Sequence, residues 1–307
     1  MDKIAITTGD PNGIGAEITI KALRFLCLPA DKIVIVSNSK ILSACGGDDI
    51  LDKYEVVEVP YDISDIKYGE ITKEAGEFSF KSLQKVCEMK PKAIVTAPVA
   101  KEALHLAGHI YNGQTEVLQK FLAHDGQSAE MLFVAKDFRV LLLTRHCPLK
   151  EVSLTEEIVV NKVKNLVKTF NVQFAIKSPK FAFCGFNPHS GENGILGREE
   201  IDILIPAIER LRKSGVDITL PLPADTLFVD AAKSYLSDTK CPYDCYIANY
   251  HDQGLIPIKT VAGDKTVNMT IGLDIVRTSP GHGTAFDIAG KNIARAEGMI
   301  EAVRAVL

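Results

Sequence analysis

The chain has 307 residues, more than one modest hydrophobic core usually absorbs, so its length predicts a large α/β unit or two lobes and excludes a small single module. Hydrophobic residues make up 46% and charged residues 24%, with no apolar run of membrane-spanning length. The charge sum is 35 − 39 = −4. This balance argues against a general nucleic-acid coat or a binder of anionic membranes, so any bound anion must be held locally.

Taken in chain order, short apolar runs alternate with segments of helical period. Strands are expected at 4–8, 32–37, 93–97, 130–135, 139–144, 180–185, 245–250 and 266–271, and helices at 17–26, 75–89, 115–123, 155–169, 199–213 and 294–306. The clearest helix has Ile201, Leu204, Ile205, Ile208 and Leu211 at steps of three and four, and Gly215 stops it. Such alternation predicts an α/β architecture with a largely parallel sheet covered on both faces. The first residues enter an apolar strand without the pattern of a secretory signal, which predicts a cytoplasmic location. The seven cysteines read as small buried hydrophobes, and Cys241 and Cys245 as a structural pair lacking the partners of a zinc cage.

Gly9, Gly13 and Gly15 follow the first strand in a G-x3-G-x-G spacing that matches neither a dinucleotide fingerprint nor a P-loop. Such a loop either places amides near a ligand or simply makes a tight turn. Three histidines, His146, His189 and His251, each sit just past an apolar strand. Strand ends in open α/β sheets collect ligands, and three imidazoles are a standard set for a catalytic divalent metal. Taken singly, each could merely cap its strand; their shared placement favours the metal. Asp252 is a further ligand, a partner orienting an imidazole, or only a turn former. His105 and His109 read as solvated, and His124 as a helix-end residue facing the negative pole. Lys101, Lys259 and Arg277 could serve an anion or be surface cations. His282, flanked by Gly281 and Gly283, allows close approach of backbone to a ligand.

The runs TTGDPNGIGAEI, VTAPVAK, TRHCPL, GFNPHSGENG, PLPADTLF and NYHDQG, and the stretch from Asn268 through Arg277 to HGTA, resemble the 4-hydroxythreonine-4-phosphate dehydrogenase family of pyridoxal phosphate biosynthesis over essentially the whole chain. HGTAFDIAGK is also similar to the adenine-side loop of isocitrate and isopropylmalate dehydrogenases. The resemblance implies their fold: two interleaved α/β lobes with a cleft, approximately 1–130 with 275–307, and 131–274 carrying the histidines and dimer contacts. It implies His146, His189 and His251 as ligands of one divalent ion (zinc, cobalt or magnesium), and Gln114, Thr115, Lys259, Asn268 and Arg277 as substrate contacts. It further implies NAD or NADP near His282, Gly283 and Thr284, with Lys259 and Asp252 as candidates for proton chemistry. A homodimer with its active site at the subunit interface is implied as well, and neither nucleic acid nor membrane is an expected partner. The expected reaction is oxidation of 4-phosphooxy-L-threonine followed by loss of CO2.

Two departures stand out. Gln114 occupies a position where the family usually has His, and Gly281 one where it usually has Asp. An amide cannot take up a proton, so acid or base chemistry is unavailable at position 114, which leaves room for a related substrate such as threonate or erythronate 4-phosphate. A rival expectation is a metal-dependent hydrolase, in which the histidines activate water.

Overall fold

The computed structural model describes residues 2–125 and 127–307. The described strands are β1 (Ile4–Thr7), β2 (Ile33–Ser37), β3 (Glu55–Glu58), β4 (Ala93–Thr96), β5 (Glu130–Ala135), β6 (Phe138–Leu142), β7 (Lys180–Phe183), β8 (Asp217–Ile218), β9 (Cys245–Ala248), β10 (Val267–Ile271) and β11 (Arg277–Pro280). The chain forms two compact units, one from 1–129 with 267–307 and the other from 130–266. The return to the first unit comes at 267, ahead of the expected 275, because β10 pairs antiparallel with β11, with Thr270 opposite Arg277.

In the first unit the strand order is β3-β2-β1-β4-β11-β10, parallel except for the β10–β11 pair. Its strands β1, β2 and β4 are buried throughout and apolar up to a terminal Thr7, Ser37 and Thr96, as strands covered on both faces should be. Ala5, Val34, Val36, Ile94, Phe78 and Leu118 form one core cluster. Helix Lys73–Met89 covers it, opened by Thr72, whose hydroxyl accepts from the Ala75 amide at 3.2 Å.

The second unit has the order β5-β6-β9-β7-β8, antiparallel only between β5 and β6. Phe138, Val140, Leu142 and Tyr246 pack there with Phe228, Leu255 and Ile258. Helix Glu156–Gln173 is capped by Thr155, which accepts from the Ile158 amide.

Differences from the sequence expectation have local causes. The regular helix expected over 199–213 opens with a π-type turn, Glu200–Leu204, in which the Ile205 amide reaches back to Glu200, before the α-helix Ile205–Lys213. Pro206 has no N–H to give to the Asp202 carbonyl, so the ordinary ladder cannot run through it. Helix His251–Ala262 was not expected, since Gly254 and Pro257 lie inside it. A Cβ at Gly254 would come within 2.6 Å of Leu142 and 2.8 Å of Val140, so the glycine lets the helix lie against β6. β11 reads Arg-Thr-Ser-Pro and carries no apolar signal, yet all four residues are buried. Of the cysteines, Cys27 and Cys147 are exposed and Cys45 half-buried, contrary to the buried reading, while Cys241 and Cys245 are buried. No helix among the described residues is long and apolar enough to cross a membrane.

Candidate active site

Within the second unit, β6, β9 and β7 are neighbours and run parallel, so their carboxyl ends share one edge. His146, His251 and His189 follow those three ends in that order. Asn249, fully buried, ties the ends together. Its carbonyl accepts from the Thr144 amide at 3.2 Å and hydroxyl at 2.7 Å, and its side-chain amide donates to the Cys184 carbonyl at 2.9 Å. Gln253 completes the brace, accepting from the Asn249 amide at 2.8 Å and donating to the Gly185 carbonyl at 2.7 Å. Neither Asn249 nor Gln253 was singled out from sequence, although both flank His251 in NYHDQG.

The His146 and His251 rings stand 5.5 Å apart, centre to centre. Two imidazoles sharing an ion at ordinary metal–nitrogen distances of about 2.1 Å bring their centres to roughly 5 Å, so this pair fits a common ion. Asp252 Oδ1 lies 2.7 Å from His251 Nδ1, which places the proton on Nδ1 and leaves the Nε2 lone pair for a ligand. The rings border a cavity of about 390 Å³ that is also lined by Arg145, Cys147, Leu149 and Tyr250. His189 is exposed on the loop after β7, and among the described residues no three His, Cys, Asp or Glu side chains converge on one point. The His146–His251 pair is thus compatible with a shared divalent ion, and His189 does not join that pair.

The loop bearing His189 is unusual in its backbone. His189, Ser190, Gly191, Glu192 and Asn193 all have positive φ, between 44° and 80°. Four of them are not glycine, so the turn runs against the normal preference of L-residues. Asn187, at its start, donates through its backbone amide to Glu200 Oε1 at 2.7 Å and through its side chain to Glu199 and Glu200 at 2.6 and 2.9 Å. Donation by Asn187 holds the Glu199 carboxyl below the usual range.

In the first unit, Arg277 is 3% exposed. Its guanidinium donates from Nε and Nη2 to the Thr96 hydroxyl at 2.8 and 2.5 Å. Burial, unopposed by any carboxylate, pushes its pKa down to about 9. Its role as an ordinary surface cation is excluded. Around it, the Asn268 Oδ1 and Thr270 Oγ1 atoms are buried without a partner among the described residues. Gln114 donates to the Ala97 carbonyl at 3.1 Å, next to Thr96, while its buried Oε1 has no partner. Thr115 follows it, half-buried, in the first turn of helix Gln114–Leu122. A buried, uncompensated cation among orphaned polar atoms is the construction of an anion receptor. Thr96 was absent from the sequence expectation because nothing local links it to Arg277.

The glycine loop resolves as a tight turn. The amides of Asp10, Asn12, Gly13 and Ile14 are taken by the Pro98 carbonyl, the Asp10 side chain, the Asp10 carbonyl and the Thr284 carbonyl. These four amides are thereby committed within the chain. Asp10 itself is fully buried, and desolvation raises its pKa to about 6 against the pull of the Asn12 and Ala100 amides. His282, Gly283 and Thr284 pass beside this turn, and the His282 Nε2 atom is buried with no partner among the described residues, so this stretch fits a polar ligand such as a nicotinamide nucleotide.

Other cations fall elsewhere. Lys259 is exposed near the end of helix His251–Ala262, so the burial expected of a proton-abstracting lysine is not present, and Lys101 is exposed as well. His105 and His109 are not solvated: His105 Nε2 contacts the Tyr111 carbonyl at 2.9 Å, while His109 meets Glu77 at 2.7 Å and stacks on Phe80 at 3.6 Å. His124 lies 3.1 Å from Asp274.

Comparison with known proteins shows the family. A 4-hydroxythreonine-4-phosphate dehydrogenase from Sulfurihydrogenibium is 39% identical over 99% of this chain and 97% of its own length. A protein from Oceanobacillus iheyensis, provisionally named as a D-threonate 4-phosphate dehydrogenase, is 37% identical over 98% of this chain and 95% of its own. The crystal structure of a 4-hydroxythreonine-4-phosphate dehydrogenase from Klebsiella pneumoniae superposes with a TM-score of 0.84 at 33% identity, covering 100% of this chain and 98% of that one. A beta-decarboxylating dehydrogenase from Thermococcus kodakarensis shares the fold, with a TM-score of 0.52 at 16% identity over 98% of this chain and 81% of that one. The family model for the pyridoxal phosphate biosynthetic protein PdxA matches residues 7–306, and the chain belongs to that family.

Proposed function

We propose that this protein is an NAD(P)-linked dehydrogenase that oxidises the C3 hydroxyl of 4-phosphooxy-L-threonine. Hydride passes to the oxidised nicotinamide and the hydroxyl proton to a base or solvent. The product, 2-amino-3-oxo-4-(phosphooxy)butanoate, loses CO2 to give 3-amino-2-oxopropyl phosphate. The observation that carries the reading is the buried Arg277, a cation with a hydroxyl for its partner and no carboxylate beside it among the described residues, which suits a phosphorylated substrate.

Arg277 orients and neutralises the phosphate, held in its own direction by Thr96. Asn268 and Thr115 offer further hydrogen bonds, and Lys259 adds positive charge. Gln114 Oε1, its orientation fixed by the hydrogen bond that Nε2 donates to the Ala97 carbonyl, presents an acceptor to a substrate ammonium or hydroxyl. His146, His189 and His251 are the proposed metal ligands, with Asp252 holding the His251 tautomer. When bound, a divalent ion would supply the positive charge that eases proton loss from the substrate alcohol and favours decarboxylation. His282, Gly283 and Thr284 would hold the nicotinamide nucleotide, which supplies the hydride acceptor. The reading includes a cytoplasmic homodimer in which a second copy completes the site; two facing imidazoles in this chain leave room for a donor from outside it.

A second substrate is favoured by one residue. With an amide at position 114, a hydroxy acid such as threonate or erythronate 4-phosphate is a competing reading. The test is a panel of 4-phosphooxythreonine and the two phosphorylated hydroxy acids, following nicotinamide reduction at 340 nm. Reduction is expected with 4-phosphooxythreonine most efficiently. Phosphate release without reduction would instead establish a hydrolase.

A further inference from the structure

We infer that Glu200 is the positioning residue of the His189 loop, its buried carboxylate clamping Asn187 and Gly191 so that His189 is held at the carboxyl end of β7. Glu200 is 2% exposed and lies on the π-type turn that opens the helix preceding Lys213. An anion so deeply placed must be well solvated by protein, and here the solvating groups belong to the histidine loop. Oε1 takes the Asn187 backbone amide at 2.7 Å and Oε2 the Asn187 side chain at 2.9 Å. On the other side of the turn, a Cβ at Gly191 would approach Oε2 to 2.7 Å and the Gly197 carbonyl to 3.0 Å, with φ at +80°, so a glycine here lets the loop pass close against the carboxylate. Asn187 and Gly191 bracket His189 in sequence, so one carboxylate fixes the chain before and after the imidazole.

This arrangement explains how a turn of consecutive left-handed residues persists. Each non-glycine residue in that conformation costs roughly 1–2 kcal/mol, and such strain survives only where the surroundings over-determine it. Two hydrogen bonds from Asn187 to Glu200 and the close approach of Gly191, supported by donation from Asn187 to Glu199, provide that determination. The π-type turn is part of the device: the Ile205 amide bonds to the Glu200 carbonyl five residues back, just before Pro206.

The inference rests on the reading of His189 as a metal ligand, and the test separates the two. Divalent-cation affinity is measured by titrating the metal-free full chain with Co2+ well below its melting temperature. Hydrogen exchange over 187–197 is followed in the same metal-free protein. Glu200→Ala is expected to weaken Co2+ binding about 10- to 100-fold, the usual effect of losing a group that orients a ligand, and to speed exchange in 187–197 while β7 stays protected. Glu200→Gln, which keeps an acceptor for the Asn187 amide but not for its side chain, should recover much of both effects. If Glu200→Ala does not fold, Gly191→Ala disturbs the same contact from the loop side and is expected to weaken Co2+ binding likewise. Unchanged affinity in the Glu200 and Gly191 variants, with a loss in His189→Ala, overturns the inference alone. Unchanged affinity in His189→Ala as well overturns the ligand reading and the inference with it.

Discussion

The two units build their functional edges by opposite means. In the first, ionisable groups are buried with few partners: among the described residues Arg277 donates to the Thr96 hydroxyl alone, and Asp10 Oδ2 has no hydrogen-bond partner. In the second, His146 and His189 are exposed and His251 half-exposed, and the burial lies beneath them, in Asn249, Gly191 and Glu200. A buried cation selects an anion strongly but costs folding energy until the anion arrives. Exposed imidazoles cost little, and their precision must come from the polar brace under them.

If the second edge is a metal site, its ligands should show the largest effects. His251→Ala is expected to lower metal-dependent turnover by roughly a thousandfold, since several kcal/mol of electrostatic stabilisation is lost. Turnover is compared in Co2+-loaded and chelated buffer. Near-native activity of the variant under chelation would remove the metal from the mechanism. The first edge should respond differently. Arg277→Ala is expected to raise KM for the phosphorylated substrate about a hundredfold, from a loss of about 3 kcal/mol of charge-assisted hydrogen bonding. Inorganic phosphate should raise the Tm of the native protein and leave that of Arg277→Ala unmoved, because only the native protein has an unpaired cation to relieve. An equal Tm rise in both would place the phosphate elsewhere.

Asp10 tests whether burial of charge in the first unit is costly in general. Its folded pKa, about 6, lies above its ordinary value of 3.8. Its contribution to stability is therefore fully present below pH 4 and is lost as pH rises through 6. Asp10→Asn keeps an acceptor for the Asn12 amide and removes the charge, so it should be more stable than the native protein at pH 7.5, by up to about 3 kcal/mol, and no more stable at pH 4. Thermal melts at the two pH values check this. An equal gain at both would mean that the effect is not electrostatic.

Legibility in the sequence followed the same division. Strands buried on both faces read as apolar runs, and the histidines were found because each follows such a run. What could not be read was long-range. Arg277 meets Thr96 across 181 residues, through a strand with no apolar residue but its terminal proline, and no local pattern says whether an arginine is buried. Glu200 was masked by the helical period around it, since the turn that carries it is set apart by the bond from the Ile205 amide. The helix beginning at His251 was hidden by Gly254 and Pro257, which tertiary packing against β6 tolerates.

The smallest expected effect concerns Gln114, whose side chain stands at the first edge and departs from the family. Its amide nitrogen donates to the Ala97 carbonyl and its buried Oε1 has no partner among the described residues, so in the proposed reading that oxygen would meet the substrate as a fixed acceptor with no ionisation of its own. Gln114→His puts a group with an unperturbed pKa near 6.5 in its place. The kcat/KM profile of the variant should gain an ionisation between about pH 6 and 7 that the native enzyme lacks, amounting to a few-fold change, because kcat/KM reports groups of the free enzyme. The ratio of kcat/KM for 4-phosphooxythreonine over threonate 4-phosphate should change with pH in the variant and stay constant in the native protein, since protonated imidazole repels an ammonium and not a hydroxyl. A variant profile and ratio indistinguishable from native would show that residue 114 does not touch the substrate, and the anion receptor would then owe its selectivity to Arg277, Asn268 and Thr115 alone.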